Sequence, residues 1–151
     1  MQFRFGQTDI RVTHCNAQGL LADVGRRLRA GNGFALATIN LDHIVKLSHS
    51  EKYCDAYAAQ DFVVADGNPI VWLSKLAKRP VELLPGSDLV LPLVRAAAEA
   101  GRPVSLLGTT RPALETAMEE FRAKVPSVKT GVLIAPPMGF DPEGRNARDM
   151  L

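Results

Sequence analysis

Two short apolar runs in the sequence end in polar side chains that are capable of chemistry. The first run leads into Thr38, Ile39 and Asn40, and the second leads into Asp66 and Gly67. Both runs are rich in small or branched apolar residues, which is typical of strands buried on both faces. In an open parallel sheet, ligands bind beyond the carboxyl ends of the strands. The sequence therefore predicts a crevice lined by a hydroxyl, an amide and a carboxylate.

Asp66 is the leading candidate for a catalytic group. A carboxylate just past a buried strand is held rigidly and partly out of water, so it can act as a general base. Gly67 has no side chain to keep a ligand away from the backbone. The alternative is that Asp66 only caps the following helix and Gly67 only makes the turn, since caps of this kind are common.

Thr38 and Asn40 flank Ile39, so their side chains should point to the same side of the extended strand end. A hydroxyl and an amide there can bind a sugar, whose hydroxyl groups need both donors and acceptors. The alternatives are that Thr38 is an ordinary strand residue and that Asn40 is the N-cap of the next helix. Asn40 is also able to fill both roles.

A loop of Gly108, Thr109, Thr110 and Arg111 stands between a predicted strand and a predicted helix. Free backbone N–H groups at a helix N-terminus favour phosphate, and Arg111 adds positive charge. The loop lacks a complete GxGxxG or GxxxxGK[ST] motif. The alternative, that it binds nothing, is therefore left open.

The remaining pattern predicts one α/β domain over residues 1–151, a Rossmann-like parallel sheet with helices on both faces. Trp72, on the helix after Asp66, is expected to pack in the core. Asp141, Pro142 and Glu143 resemble a helix start. Strands are predicted at 10–13, 34–39, 62–65, 103–107 and 130–135, and helices at 16–29, directly after residue 40, and at 69–76, 87–100 and 112–124.

Composition excludes several classes of protein. The net charge is +2, from 18 basic and 16 acidic residues without long runs, so nucleic acid is not an expected partner. His43, His49 and Cys54 do not share a helical face, so neither a metal site nor a cofactor is predicted. No signal peptide, spanning segment or clear basic amphipathic stretch is evident, which predicts a cytoplasmic protein with weak membrane attachment.

Taken in order along the chain, these motifs resemble the WecG/TagA/CpsF family of bacterial glycosyltransferases. The resemblance runs from about Ile10 to Phe140, nearly the whole chain. The motifs that carry it are Thr38-x-Asn40, Ala65-Asp66-Gly67, Glu82 with Gly86-Ser87-Asp88-Leu89, Ser105-Leu106-Leu107-Gly108, and Val125-Pro126 with Gly139-Phe140.

The resemblance implies an inverting transfer of an N-acetylhexosamine-type sugar, often N-acetylmannosamine, from a UDP-sugar donor to a polyprenyl-diphosphate-linked acceptor. Such enzymes assemble cell-surface polysaccharide or teichoic acid at the inner face of the cell membrane, which full-length relatives contact peripherally. A homo-oligomer is compatible with this role. The family's catalytic base falls on Asp66 and its supporting threonine on Thr38. The candidate substrate-binding residues are Asn40, Gly67, Asn68, Gly86, Gly108, Thr109 and Arg111.

The chain departs from the family pattern in two places. Leu83 stands where the family usually has Arg, which removes a contact to phosphate or acceptor that Arg79 or Arg111 would have to replace. Family members also continue beyond Leu151, so the domain is expected to be incomplete at its C-terminal end. The alternative function is therefore a non-catalytic nucleotide-sugar-binding module or a degenerate fragment of such an enzyme.

Overall fold

The computed structural model describes residues 1–141 and 144, and these have an α/β fold. The helix predicted to begin at Asp141, Pro142 and Glu143 falls, beyond Asp141 and Gly144, outside the described residues. The elements in chain order are β1 (Gln2–Phe5), β2 (Thr8–Arg11), α1 (Ala17–Ala30), β3 (Leu36–Ile39), α2 (Leu41–His49), α3 (Glu51–Ala58), β4 (Phe62–Ala65), α4 (Asn68–Leu76), α5 (Gly86–Glu99), β5 (Pro103–Leu107), α6 (Arg111–Lys124) and β6 (Lys129–Ile134).

The ends of the helices follow from local chemistry that the sequence displays. The side chain of Asn16 accepts a hydrogen bond from the backbone N–H of Gly19 at 2.8 Å and so caps α1. Gly31 ends α1 in the left-handed region at φ 72°, which glycine adopts without a steric penalty. Pro69 lies in the first turn of α4, where its missing N–H is not needed.

The chain divides into two compact units, Met1–Leu93 and a second unit that begins at Val94. In the first unit β3 and β4 pair in parallel, and every residue of β4 is buried. Its core is built from side chains of the strands and of α2, α3 and α4. The buried members include Ile10, Val12, Ile39, Leu47, Tyr57, Val63, Ala65 and Ile70.

An antiparallel hairpin precedes this parallel pair, and the strand predicted at 10–13 is only partly correct. β1 pairs with β2 across a turn at Gly6, whose φ of 58° suits a two-residue hairpin turn. Thr13 lies outside β2 and bonds to β4 instead: its N–H donates to the carbonyl of Val63, and its hydroxyl accepts from the N–H of Val63. The α/β class is confirmed, whereas this hairpin was not predicted.

The expectation that Trp72 packs in the core is wrong, because α4 buries a different face. Ile70 and Ser74, one turn apart, are fully buried. The Ser74 hydroxyl donates to the carbonyl of Val71 and accepts from the backbone N–H of Val81, which fixes this face inward. Trp72 therefore lies on the outer face and is 64% exposed.

In the second unit β5 and β6 pair in parallel around an irregularity between Val104 and Leu106. The hydroxyl of Ser105 accepts a hydrogen bond from the backbone N–H of Val132 at 3.0 Å. Gly131 lies against this hydroxyl, and a Cβ added to Gly131 would collide with it. The core of this unit contains Val94, Val125 and Val128, with Ala98, Val104 and Phe121 packed beside them.

Candidate functional site

The carboxyl ends of β3 and β4 lie at one edge of their parallel pair. Thr38 is level with Val64 and Ile39 with Ala65, and the backbone N–H of Asp66 donates to the carbonyl of Ile39 at 2.9 Å. Polar residues that follow the two strands therefore lie near one another, as the sequence predicts for such an edge.

The Asp66 carboxylate is not used as a helix cap. α4 has Gly67 as its N-cap residue, with φ 114° and no side-chain cap hydrogen bond. Within residues 1–141 and 144, no group donates a hydrogen bond or forms an ion pair with the Asp66 carboxylate, which is half-buried. The capping alternative is therefore wrong, and a carboxylate at this edge is available to a ligand.

Asn40 has the cap role that the sequence left open. Its side-chain oxygen accepts from the backbone N–H of His43 at 3.0 Å, and the N–H of Asn40 donates to His43 Nδ1 at 3.4 Å. This reciprocal arrangement begins α2. It engages the amide oxygen of Asn40, whereas the side-chain NH₂ group has no hydrogen-bond acceptor in the described part of the chain. Asn40 can therefore act as cap and as a donor to a ligand.

Two glycines of the candidate set pack closely against these polar residues. A Cβ built on Gly86 would lie 3.5 Å from Thr38 Cγ2, and one built on Gly67 would lie 3.8 Å from Asn40 Cβ. The backbone N–H of Leu84 donates to the carbonyl of Ala65 at 2.7 Å, which brings the chain before Gly86 alongside β4. The start of α5 therefore forms a wall of the same edge.

Asn68, the remaining candidate of this unit, is exposed as the first residue of α4. Leu83 is 39% exposed on the segment that precedes Leu84. The neighbouring Glu82 accepts a hydrogen bond from the backbone N–H of Ala17, so its carboxylate supports the start of α1. Glu82, one of the residues that carry the family resemblance, therefore has a structural role in the contact with Ala17.

A histidine–tyrosine pair that the sequence did not indicate supports the end of β3. Tyr57, on α3, donates its hydroxyl hydrogen to the carbonyl of Thr38 at 2.6 Å. His43 Nδ1 lies 2.9 Å from the same hydroxyl and 3.1 Å from that carbonyl. The rings of Tyr53 and Tyr57 pack edge to face at 5.1 Å. These contacts fix the backbone that presents the side chains of Thr38 and Asn40.

Removing the Tyr57 hydroxyl should lower the free energy of unfolding by about 1 kcal/mol near neutral pH, the usual net value of one hydrogen bond. Burial is the main cause that raises the pKa of Tyr57 in the folded protein. The neighbouring Tyr53 hydroxyl and the negative charge of Asp66 raise it further. The wild type should therefore lose stability above about pH 10, where an unfolded tyrosine ionises. Tyr57→Phe lacks this loss, so its deficit should shrink above that pH.

Urea unfolding of both proteins from about pH 6 to pH 11 measures this difference. Tyr53→Phe is the control, because it leaves the hydrogen bond from Tyr57 to Thr38 in place. A Tyr57→Phe deficit that stays constant up to the highest pH would contradict the assignment of this hydroxyl.

The loop at 108–111 belongs to the second unit, and its part in the site stays a prediction. The backbone N–H of Gly108 donates to the carbonyl of Ile134 at 3.0 Å, so it is not free for phosphate. Thr109 has a left-handed backbone at φ 44°. The Arg111 guanidinium donates to Glu115 at 2.7 Å and to the carbonyl of Leu133 at 3.0 Å. To bind phosphate, the Arg111 guanidinium would have to donate a further hydrogen bond or give up the bonds to Glu115 and Leu133.

Neither a metal centre nor a membrane-spanning helix is found in the described ranges. No group of three or more His, Cys, Asp or Glu side chains at 1–141 and 144 is placed to hold a metal ion. None of the helices there is long and apolar enough to cross a bilayer.

Comparison with known proteins agrees with the order of motifs along the chain. No individual curated protein matches the sequence. The sequence pattern of the glycosyl transferase WecG/TagA/CpsF family, however, matches residues 6–150 of the 151. That span contains both strand ends and all the candidate site residues. The chain therefore belongs to the WecG/TagA/CpsF family of glycosyltransferases, which act in the assembly of cell-surface polysaccharide.

Proposed function

We propose that this chain transfers an N-acetylhexosamine-type sugar, with inversion, from a UDP-sugar to a polyprenyl-diphosphate-linked acceptor, with Asp66 as the catalytic base. The observation that carries the proposal is the Asp66 carboxylate at the edge of β3 and β4. It has no hydrogen-bond or ion-pair partner among the described residues, and it follows β4 at the edge where Thr38 and Asn40 lie at the end of the paired strand β3. Family membership supports the reaction class.

In the proposed reaction, Asp66 removes the proton of the acceptor hydroxyl as its oxygen attacks the anomeric carbon from the face opposite UDP. A new bond forms between that oxygen and the anomeric carbon. The bond from the anomeric carbon to the β-phosphate oxygen breaks, and UDP leaves with the electron pair. A positioned general base typically contributes a factor of about 10²–10⁴ to such a step.

Thr38 and Asn40 orient the sugar in this proposal. The side-chain NH₂ group of Asn40 donates, while its oxygen stays in the cap of α2. The Thr38 hydroxyl can donate or accept. Gly67 and Gly86 have no side chain, so they leave the space beside Asn40 and Thr38 open to the sugar. The pyrophosphate of the donor would be met by free backbone N–H groups at this edge.

Leu83 favours a second candidate, a module that binds the UDP-sugar without transferring it. Its exposed apolar side chain offers no hydrogen bond to a phosphate or acceptor. The two candidates differ in one observable. The enzyme consumes donor and releases UDP when acceptor is present, whereas the module binds donor and releases none.

The proposal predicts acceptor-dependent UDP release and a lipid-linked disaccharide detectable by mass spectrometry. The assay would use UDP-N-acetylmannosamine or UDP-N-acetylglucosamine with a short polyprenyl-diphosphate-linked sugar. A GDP-sugar serves as the donor control and should give no product. Saturable binding of the UDP-sugar in calorimetry without any product would refute transfer and support the binding module.

A further inference from the structure

The outer face of α4 exposes large apolar side chains where a surface helix normally carries polar ones. Trp72 is 64% exposed and Leu76, one turn later, is 81% exposed, with Leu73 beside them. The opposite face, with Ile70 and Ser74, is buried in the first unit. Core packing therefore does not account for the three outer residues.

Positive charges surround this apolar face. Lys75, Lys78 and Arg79 are all exposed, and none forms an ion pair with any residue at 1–141 or 144. The sequence has no acidic residue from 67 to 81. Lys78 is held just past the helix end with φ 55°, in the left-handed region that favours glycine. The face thus combines an indole, two leucines and three cations without compensating carboxylates.

We propose that this face of α4 docks onto the surface of an anionic lipid bilayer. Trp and Leu side chains insert at the boundary between headgroups and acyl chains, and Lys and Arg bind anionic headgroups. α4 has nine residues and would lie in the plane of the interface. The occupant is a lipid surface because its negative charge complements the three cations.

The same three positive charges disfavour the alternatives to a lipid surface, which are a second copy of this chain and another protein. In a symmetric dimer the face would meet its own copy and place like charges opposite one another. The centres of protein–protein interfaces are also depleted in lysine. The overall net charge is only +2, so attraction to an anionic surface must come from this local cluster. This proposal differs from the weak membrane attachment that the sequence pattern predicts, and the vesicle experiment decides between the two.

Docking by α4 would bring the bilayer close to the candidate site. α4 begins two residues after Asp66, and a nine-residue helix is about 13 Å long. A lipid-linked molecule in the same bilayer would then reach the strand ends from the side. The docking surface does not depend on the catalytic assignment, because it uses none of the residues placed in catalysis.

Trp72 makes the proposal directly measurable, since it is the only tryptophan of the chain. The intact chain would be mixed with vesicles of equal parts phosphatidylglycerol and phosphatidylcholine, and with vesicles of phosphatidylcholine alone. We expect sedimentation with the anionic vesicles, a shift of Trp72 emission to shorter wavelength, and quenching by brominated acyl chains. Leu76→Gln should weaken binding by roughly tenfold or more, since it removes a leucine from the inserted face.

A charge variant and two matched controls complete the test. Lys75→Gln with Lys78→Gln should weaken binding by roughly twentyfold or more, at about fivefold for each lysine near the surface. Lys46→Gln with Lys124→Gln makes the same change of net charge on other helices and should leave binding nearly unchanged. Met138→Gln removes an exposed apolar side chain outside α4 and should also have little effect.

The outcomes separate lipid docking from its competitors and from the catalytic proposal. Sedimentation without any change in Trp72 emission would place the contact elsewhere and overturn docking by α4. An emission shift that follows protein concentration in the absence of vesicles would instead identify a protein interface. Lack of transferase activity alongside vesicle binding at Trp72 would refute the proposed function and leave the docking surface standing.

Discussion

Asp66→Asn is expected to lower turnover by roughly a hundredfold or more while donor binding stays nearly unchanged. Asparagine keeps the size of the side chain and removes its basicity, so the acceptor hydroxyl loses its proton acceptor. The fold should tolerate the change, because the carboxylate makes no hydrogen bond within the described ranges. Loss of turnover therefore would not reflect loss of structure.

The measurement is steady-state release of UDP with a lipid-diphosphate acceptor, together with calorimetric donor binding. Asp55→Asn is the matched control, since Asp55 is an exposed carboxylate on α3 that is not among the candidate site residues. Thr38→Ala should cost less than Asp66→Asn, because loss of one positioning hydrogen bond is worth about 0.5–1.5 kcal/mol, or roughly tenfold or less in turnover. Near-normal turnover in Asp66→Asn would show that Asp66 is not the catalytic base.

Gly131→Ala is expected to lower the free energy of unfolding by about 1 kcal/mol, the usual net value of one hydrogen bond, because the exposed Ser105 side chain must turn away to admit the new Cβ. The new Cβ would collide with the Ser105 hydroxyl and lie 3.3 Å from the carbonyl of Val104. Moving that hydroxyl would also weaken its bond with the N–H of Val132. Gly33→Ala is the control, because a Cβ there meets nothing within 4 Å.

Urea unfolding followed by far-ultraviolet circular dichroism measures both variants. The cause is tested by repeating Gly131→Ala in a Ser105→Gly background, where no hydroxyl is present to collide with. The cost of Gly131→Ala should be smaller in that background, as for two residues in direct contact. An equal cost in the two backgrounds would show that the collision with Ser105 is not the reason.

The sequence predicted the strand ends well because the signals there are local. β4 occupies residues 62–65 as expected, since four consecutive apolar residues bounded by polar ones indicate a strand buried on both faces. The cap at Asn16 and the first-turn Pro69 are likewise read from neighbouring residues. The site prediction follows from these two strand ends, and the catalytic role of Asp66 stays a prediction.

Features that depend on distant contacts could not be read in this way. Tyr57 lies 19 residues from Thr38 along the chain, and α3, which carries it, was not predicted. The face of α4 that is buried depends on the bond between Ser74 and Val81, so the apolar pattern alone put Trp72 inside. The close approach of Gly131 to Ser105 also requires the register of two strands.

The cap formed by Asn40 has a consequence for how the site can change under selection. Its side-chain oxygen begins α2, so most substitutions at Asn40 would cost about 0.5–2 kcal/mol of stability as well as a ligand contact. Asp66 makes no comparable contribution to folding. A lineage released from selection for activity would therefore lose Asp66 early and keep Asn40, whereas a selected one would retain both. Mutational tolerance at these two positions thus separates maintenance of the fold from maintenance of the reaction.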